Sequence, residues 1–480
     1  MADPDAVVVG SGPNGLSAAV YLAQAGASVL VLEAADQAGG GARSAELTLP
    51  GFLHDVCSAV HPLGVLSPWF RSLPLAEHGL TWIHPRASVA HPLDGQPAVL
   101  LRRSLDETCA ELADDARSYR RLLAPFLRDP HGLLADALAP LRLPRHPLLM
   151  LRFGLRALRS AVGLARRFDG DRARALLAGC AAHSILPLER ALSGAVGLVF
   201  LLAAHVEDWP VAAGGSGAIA RALAGLFTSL GGRIETGRRV RALSDLPAAR
   251  VVLFDTSPAQ LADIAGPVLP ARYLRRLRRY RYGPGVFKLD FALEGSIPWR
   301  DPRCLEASTV HLGGTLEEIA AAEAAVWRGE HPDRPFVLVC QQSEIDRARA
   351  PDGRQTGYAY CHVPAGSTAD QTDAIERQLE RFAPGFRDRV LARRATGPAE
   401  LERDNPNYAG GAVTGGVADL RQLFTRPVAR LDPYSTPNRR IFICSASTPP
   451  GGGVHGMCGF HAARSAARRL ERLAPARLEP

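Results

Sequence analysis

A short apolar strand that ends in a glycine-rich turn constrains this chain more than any other feature. Residues Ala6–Val9 form an apolar run typical of a buried parallel strand. The turn that follows consists of Gly10, Ser11, Gly12, Pro13, Asn14 and Gly15. Its first glycine allows a tight turn, its second lets the backbone approach a pyrophosphate, and its third lets a helix pack closely on the strand. The turn therefore predicts a dinucleotide-binding unit.

The next twenty residues complete that unit. Leu16–Ala25 is rich in helix formers and ends at Gly26, a residue suited to a helix C-cap. The N-terminus of this helix directs backbone N–H groups and a positive dipole end at phosphates. Ser28–Leu32 is a second strand, and it leads to Glu33, which is placed to accept a hydrogen bond from a ribose 2′-OH and disfavours a 2′-phosphate. A chance glycine-rich turn is the alternative, but it does not explain this order of elements.

The segment after the second strand indicates which of two dinucleotide cofactors, FAD or NAD, the unit is expected to bind. It reads EAADQAGGGAR and resembles the E-x5-G-G-x-x-R element of glutathione-reductase-type flavoproteins. In that family the glycines and the arginine, a permanent planar cation, lie along the FAD cofactor. The alternative for the arginine is an ordinary solvated surface position. The resemblance implies that FAD is bound by Glu33, Ala34, Gly39, Gly40, Gly41 and Arg43.

Two later segments resemble the amine oxidases and phytoene desaturases. Trp209–Val240 is similar to a helix–strand element whose final valine, here Val240, contacts the adenine in those families. The segment IFICSASTPPGGGVHGMCGFHAA, from Ile441, resembles the C-terminal flavin motif of phytoene desaturases. There a helix N-terminus at the pyrimidine edge favours the anionic reduced flavin. An ordinary helix–strand unit and a glycine-rich loop are the alternatives. The residues implied are Gly452, Gly453, Gly456 and Met457.

Taken together, the segments cover most of the chain and resemble bacterial phytoene-desaturase-like oxidoreductases. The resemblance implies an α/β fold, in which a glutathione-reductase-type FAD-binding Rossmann-like domain is interleaved with an α+β substrate domain. Ser445-Ala446 departs from the family, since many of its members place an acid there, near the ribityl chain. The expected segments are FAD-binding residues 1–75, a mostly helical cap over 76–209, FAD-binding residues 210–265, a substrate sheet with helices over 266–424, and FAD-binding residues 425–480.

Local patterns add expectations for the two substrate-domain segments. Strands are predicted at Val286–Leu293, Phe336–Gln341 and Thr356–Val363. Leu148–Phe168 is predicted as one helix with an arginine face beside an apolar side. Such a helix could lie on a membrane surface beside the mouth of a substrate channel. The commoner explanation is a cap helix whose arginines face water.

Composition narrows the classes of partner. The net charge is +8, and nearly all of the positive charge is arginine, but no nucleic-acid-binding module accompanies it, so no nucleic acid is expected. An anionic membrane leaflet stays open as a peripheral partner, and so does a homodimer. The eight cysteines are scattered and no metal-type spacing occurs, which favours free thiols, no metal and a cytoplasmic protein without a signal peptide. Ala191–Val206 is predicted as a buried helix.

The resemblance implies dehydrogenation of a lipophilic, isoprenoid-like substrate, with hydride transfer to flavin N5. Because no second strand–GxGxxG–helix unit is present, oxygen or a quinone is the expected electron acceptor. The catalytic candidates are His61, Lys288 and His455, and for each a purely structural or cofactor-contacting role is the alternative. Cys57 and Cys458 lie in no recognised flavin-tethering motif. An amine oxidase is a second hypothesis, although aromatic residues are only 6%. A flavin isomerase or saturase and a non-catalytic flavin-binding protein are the others.

Overall fold

The computed structural model describes residues 3–470 and residue 478. The helices are α1 Pro13–Gln24, α2 Pro62–Val65, α3 Leu105–Glu111, α4 Ala116–Leu123, α5 Pro130–Ala137, α6 Pro147–Ala157, α7 Ala161–Ala165, α8 Asp171–Ala182, α9 Ser193–Glu207, α10 Gly217–Ser229, α11 Pro258–Ile264, α12 Ala271–Arg278, α13 Leu316–Trp327, α14 Gln342–Ile345, α15 Thr372–Phe382, α16 Pro398–Asp404 and α17 Met457–Leu470. The strands are β1 Ala6–Val9, β2 Val29–Leu32, β3 Ser44–Glu46, β4 Leu53–Asp55, β5 Trp82–Ile83, β6 Ala87–Leu93, β7 Gln96–Leu101, β8 Val211–Ala212, β9 Arg233–Glu235, β10 Val251–Phe254, β11 Gly285–Leu293, β12 Ala307–Leu312, β13 Val337–Cys340, β14 Gln355–Val363, β15 Val390–Thr396 and β16 Ile441–Ile443.

A parallel sheet with the order β16-β10-β1-β2-β9 carries the glycine-rich turn at the end of β1. Its central strands are apolar along their whole length because helices cover both faces. Ala6 and Val8 pack into the cluster that includes α1, α10 and α17, while Val7 and Val9 pack into the cluster of α11 and α12. The strand predicted at Ala6–Val9 is confirmed, and the second begins one residue later than predicted.

The second large sheet is mixed, with the order β15-β11-β14-β13-β12-β6-β7. One face packs against α8, α9 and α13, and the other packs against α15. The three strands predicted from local patterns are confirmed to within one residue at each end. The segment 76–209 is not only helical, because it supplies β5, β6 and β7. The strand β6 escaped prediction because its sequence, ASVAHPL, is buried throughout and shows no polar–apolar alternation.

The predicted fold class is confirmed: a Rossmann-like parallel core and a separate sheet domain make up the α/β structure. The interleaving is visible in the parallel sheet, whose strands come from three stretches of chain separated by the second sheet and the helical layer. The carboxyl ends of β1, β2 and β10 therefore meet residues of the second sheet that lie far away in sequence.

The helix predicted over Leu148–Phe168 is wrong as a single element. It is divided into α6 and α7, because the Ser160 hydroxyl accepts a hydrogen bond from the Gly163 N–H at 2.9 Å and caps a new helix. The buried helix predicted at Ala191–Val206 is confirmed as α9, whose residues are largely buried. Within residues 3–470, no helix combines the length and the apolar character needed to cross a bilayer.

Candidate functional site

One cavity of about 770 Å³ lies where the two large sheets meet. Residues at the carboxyl ends of β1, β2 and β10 line one part of it, and side chains of α9, β13 and β14 line another. Thirteen of the seventeen residues predicted to bind the cofactor line this cavity, which are Gly10, Ser11, Gly12, Pro13, Asn14, Glu33, Ala34, Gly40, Gly41, Arg43, Val240, Gly452 and Gly453. The four that do not line it are Gly15, Gly39, Gly456 and Met457.

The end of β1 and the start of α1 are in close backbone contact. A Cβ atom added to Gly15 would lie 2.1 Å from the Gly10 carbonyl oxygen, and Gly10 itself has φ +100°. Only glycine fits either position without strain. Gly15 thus shapes the cavity by bringing α1 against β1, as predicted, although it does not line the wall. Within the described residues the buried Asn14 Oδ1 has no hydrogen-bond partner, so the turn has an acceptor left over for a ligand.

Glu33 is held at the end of β2 by the same turn. Its Oε2 accepts the Ser11 N–H at 2.8 Å and the Ser11 hydroxyl at 2.6 Å, and its Oε1 accepts the Ala35 N–H at 2.8 Å. An ionised carboxylate has about four acceptor positions. Three are used within the protein, so about one remains for a hydroxyl group in the cavity.

The glycine loop after Glu33 folds back onto the first turn. The Gly39 N–H donates to the Ser11 carbonyl at 3.1 Å, and a Cβ atom added to Gly40 would lie 3.0 Å from Gly12 Cα. Arg43 Nε donates to the Gly40 carbonyl at 2.7 Å, which fixes the arginine at the cavity wall. The two glycine segments therefore build one surface, with Gly39 supporting it from outside the cavity.

The C-terminal glycine segment divides into a lining part and a packing part. Gly452 and Gly453 line the cavity, whereas Gly456 is packed against α1: a Cβ atom added there would lie 2.2 Å from Ser17 Oγ. Met457, the first residue of α17, is buried. The prediction that these last two residues touch the cofactor is therefore not supported, because they hold α17 against α1 behind the wall.

His61 does not line the cavity, so its role as a general base stays a prediction that has no contact with the site. The His61 side chain is buried, and its Nε2 lies 2.8 Å from the Ser216 hydroxyl, which itself donates to the Ser58 carbonyl. Burial lowers the His61 pKa to about 4, although the Asp55 carboxylate opposes this shift. The ring is therefore a neutral hydrogen-bond donor that joins the start of α2 to the start of α10.

Lys288 reaches the cavity wall from β11, but its ammonium group is directed into the protein. Nζ donates to Asp290 Oδ1 at 2.6 Å, to the Asp55 carbonyl at 2.8 Å and to the Val56 carbonyl at 3.4 Å. It also lies 4.5 Å from the centre of the Tyr358 ring. Burial raises the Asp290 pKa, and the Lys288 charge opposes that shift. An ammonium has three donors, so this group is nearly saturated.

His455 lines the cavity and keeps one ring nitrogen available. Its Nδ1 accepts the Met457 N–H at 3.0 Å, and burial lowers its pKa to about 4 against the effect of two glycine carbonyls. A neutral ring whose Nδ1 accepts must carry its proton on Nε2. Within the described residues that N–H has no partner, so His455 is a donor to a ligand.

Several residues in the wall had no sequence signal. Asp255, at the end of β10, accepts the Gly15 N–H at 2.9 Å, and burial raises its pKa to about 8. Arg426 is buried and donates to carbonyls and to Tyr280 Oη, and the described residues offer it no carboxylate partner. Ser58 Oγ and Thr256 Oγ1 are buried and have no hydrogen-bond partner in the part of the chain that the structure describes. Each of these residues reaches the cavity from a part of the chain distant from the glycine-rich turn.

The part of the wall that α9, β13, β14 and Trp209 line is largely apolar and aromatic. Phe200 and Trp209 pack with ring centres 5.1 Å apart, and Tyr358 and Tyr360 follow at 6.3 Å. His183 stacks on Phe200 at 4.6 Å, and its Nε2 lies 3.0 Å from His311 Nε2. Burial lowers the His183 pKa to about 3, so this ring is neutral. The wall therefore suits a hydrophobic molecule with few polar groups.

Comparisons with known proteins agree with this geometry. A family model described as NAD(P)-binding Rossmann-like domain matches residues 8–73. A rat protein named pyridine nucleotide-disulfide oxidoreductase domain-containing protein 2 is 27% identical over 98% of this chain and 94% of its own length. The lycopene-forming phytoene desaturase of Pseudescherichia vulneris is 25% identical over 94% and 96%. A structure of putrescine oxidase bound to putrescine shares the fold with a TM-score of 0.60, 18% identity and 98% coverage of both chains.

The fold, the glycine-rich turns and these relatives define an oxidoreductase. The fold and the full-length relatives support a place in the superfamily that contains the amine oxidases and the carotenoid desaturases. The resemblance stated from the sequence is thereby confirmed at the level of this superfamily.

Proposed function

We propose that this protein binds FAD and dehydrogenates a lipophilic substrate, forming a carbon–carbon double bond. The observation that carries the proposal is the single cavity with two chemically different walls, glycine-rich and polar in one part and apolar in the other. A full-length relative that is a phytoene desaturase supports the same class of reaction. The second wall has room for a hydrophobic chain but offers few groups that would bind a strongly polar substrate.

The residues of the polar wall fit FAD. Glu33 would accept a ribose hydroxyl at its remaining acceptor position, and the N-terminal turn of α1 would face the phosphates, with Arg43 beside it. Val240 would contact the adenine. Arg426 is a buried cation that gains from an anionic group, and the N–H of His455 Nε2 would donate to the flavin. When bound, FAD supplies the group that accepts a hydride from the substrate carbon.

The chain itself must orient the substrate, exclude water and hold one proton. The aromatic side chains of Phe200, Trp209 and Tyr358 would fix the plane of a flat substrate and keep the site dry. Lys288 would position rather than react, because Asp290 and two carbonyls hold its ammonium. Because the three N–H donors of Lys288 are taken by Asp290 and two carbonyls, the proton would leave to water in the cavity rather than to Lys288. Oxygen or a quinone would reoxidise the cofactor.

Amine oxidation is a second candidate, and one observation favours it. The composition contains few aromatic residues, yet the structure brings Tyr358, Tyr360, Phe200 and Trp209 to the cavity wall. Aromatic side chains around a substrate also suit amines. Putrescine oxidase shares the fold, although at 18% identity this says nothing about the substrate.

The test begins with the absorbance spectrum of the purified protein, followed by anaerobic titration with polyenes and with amines. Bleaching of the flavin bands by a polyene, with a product that has one more double bond, is the expected result. Bleaching by amines alone would establish the second candidate instead. A polyene that is isomerised without net flavin reduction would move the protein to the isomerase class. A polyene that is saturated only after the flavin has been reduced with dithionite, with the flavin returning to its oxidised form, would move it to the saturase class. A protein that neither contains nor takes up FAD would refute the proposal.

The electron acceptor is measured on the same sample. The anaerobically reduced protein is mixed with oxygenated buffer or with a short-chain quinone, and the return of the flavin bands is followed. The electron acceptor that restores the oxidised flavin bands at a rate sufficient for turnover identifies the class of acceptor that the protein uses.

A further inference from the structure

Helix α6 and the loop before it place leucines in positions exposed to water. Four exposed leucines of α6 and its C-cap recur at spacings of three and four residues, so they share one side of the helix. Six of the eleven exposed large hydrophobic side chains of the described residues belong to this segment. We name them the leucine face: Leu141 (70% exposed), Leu143 (93%), Leu148 (73%), Leu151 (60%), Leu155 (65%) and Leu158 (48%).

The charges around the leucine face are mainly positive, with Asp136 as the carboxylate that pairs with Arg142 at 3.5 Å. Residues 141–168 contain seven arginines and neither aspartate nor glutamate. The nearest carboxylate from another helix, Asp136 of α5, is buried and accepts the N–H groups of Arg145 and His146 at 3.1 and 2.9 Å. Burial lowers the pKa of Arg167, and the positive charges of Arg159 and Arg156 lower it further, so these cations are crowded together. The segment therefore combines exposed apolar side chains with an excess of positive charge, since seven arginines face the single pairing of Arg142 with Asp136.

We propose that the leucine face docks on the surface of a bilayer that contains anionic phospholipids. The leucines would enter the outer part of the acyl-chain region, and the arginines would contact the headgroup phosphates. Stable interfacial binding needs both an apolar and an electrostatic contribution, and this segment supplies both. The proposal does not depend on the reaction that the cavity performs.

A second copy of the chain fits this surface less well. In a two-fold dimer the same patch meets itself, so the arginines of one copy would face those of the other. A phospholipid leaflet instead offers negative charge at the depth of the arginines and hydrocarbon below it. The shape also matters, because a helix presenting a row of exposed leucines is typical of an interfacial helix lying parallel to the membrane.

The position of the leucine face relates it to the cavity. Leu134 and Ala137 of α5 line the cavity, and so does Leu138, the residue after the helix. Leu141, the first residue of the leucine face, is only three residues further along the chain. Helix α6 packs on α9, whose Val196 and Val199 line the same cavity. If the proposed dehydrogenation of a lipophilic substrate is correct, docking would bring this wall against the bilayer in which such a substrate dissolves.

The test is sedimentation of the full-length protein, with its cofactor, in the presence of vesicles. Vesicles of phosphatidylcholine alone are compared with vesicles of equal parts phosphatidylcholine and phosphatidylglycerol. We expect binding to the second kind, weakened by added salt. The double variant Leu151→Glu/Leu155→Glu should lower the partition coefficient by about tenfold or more, since it removes apolar insertion and adds repulsion. Arg152→Gln/Arg159→Gln should abolish the preference for phosphatidylglycerol.

A matched control carries the same substitutions elsewhere. Leu230, which follows α10, and Leu391, on β15, are exposed by 39% and 40% and lie outside the leucine face. The double variant Leu230→Glu/Leu391→Glu should bind vesicles like the unaltered protein, and the flavin spectrum and melting temperature show that each variant is folded. The proposal is overturned if the unaltered protein does not sediment with anionic vesicles, or if both leucine pairs have equal effects. It is also overturned if Leu151→Glu/Leu155→Glu only dissociates a dimer seen by light scattering without lipid.

Discussion

Two carboxyl groups follow strands on either side of β1, and their surroundings give them different roles. Glu33 accepts three hydrogen bonds and is only half-buried, so it serves as an anionic acceptor. Asp255 is buried and accepts the Gly15 N–H, and burial raises its pKa to about 8. A protonated Asp255 would keep a second negative charge away from the place proposed for the phosphates of FAD.

Replacing Glu33 tests its role in holding the ribose. The Glu33→Gln variant should weaken FAD binding by about 10- to 100-fold, because hydrogen bonds to a charged group contribute about 1.5–3 kcal/mol. Quenching of FAD fluorescence during titration of the apoprotein measures the affinity. Glu235→Gln is the control, since Glu235 ends the neighbouring strand β9 but its side chain is 42% exposed. Equal losses in the two variants would contradict the assignment.

Asp255 should make stability depend on pH. Its pKa is about 8 in the folded protein and 3.8 in the unfolded chain, so between these values the folded state holds a proton that the unfolded state releases. The favourable contribution of Asp255 to the free energy of unfolding is therefore complete below about pH 4. It is lost as the pH rises toward 8, by up to about 1.4 kcal/mol per pH unit. Urea unfolding of apoprotein at several pH values should show a shallower decline for Asp255→Asn. Parallel curves for the two proteins would disprove the raised pKa.

The ion pair of Lys288 and Asp290 should be costly to break from one side. Lys288→Met leaves a buried carboxyl without its cation, which typically costs about 3–5 kcal/mol. Lys288→Met/Asp290→Asn should recover much of that loss, because no charge remains to be desolvated. The free energy of unfolding in urea measures both. If the single and double variants are equally unstable, packing of the lysine stem rather than charge pairing explains the loss.

Among the elements, α1 and α17 show how two helices distant in sequence build one wall. A Cβ atom added to Gly459 of α17 would lie 1.8 Å from the Asn14 carbonyl oxygen at the start of α1. The helices are in backbone contact at this point, directly behind the glycine-rich turn. The contact explains why Gly456 and Met457 pack rather than line the cavity: α17 has to reach α1 before its N-terminus can face the ligand.

Two glycine-to-alanine substitutions should have opposite effects on stability. Gly459→Ala should destabilise the protein by several kcal/mol and weaken FAD binding, because α17 must move away from α1. Gly154→Ala lies in α6, where an added Cβ meets nothing within 4 Å, so it should stabilise by up to about 1 kcal/mol through helix propensity. Melting temperatures compare the two directly. Similar shifts in both variants would show that α17 adjusts freely.

Across the whole molecule, the sequence predicted the site best where the residues of the site lie close together in the chain. The glycine-rich turn, Glu33 and Arg43 lie close together in the sequence, so the spacing of the turn and Glu33, with the flavoprotein resemblance of the Arg43 segment, predicted the polar wall. His183 and His311 are 128 residues apart, and only the packing of α8 on β12 brings them together. Asp255 and Arg426 reach the cavity in the same way. The pattern of α6 showed an apolar side but could not show that the fold leaves this side uncovered, since that depends on which helices pack nearby.

The single lysine of the chain lies inside the protein, at the junction of the two sheets. Acylating reagents that attack side-chain amines consequently have only one target, and the fold shields it. Modification at this position should proceed only when the junction opens, so the rate of modification measures how often the junction opens. We expect mass spectrometry of the timed reaction to show slow modification of Lys288, slower still when FAD fills the cavity and fast in urea. Immediate modification of the native protein would mean that the two sheets separate far more readily than their packing suggests.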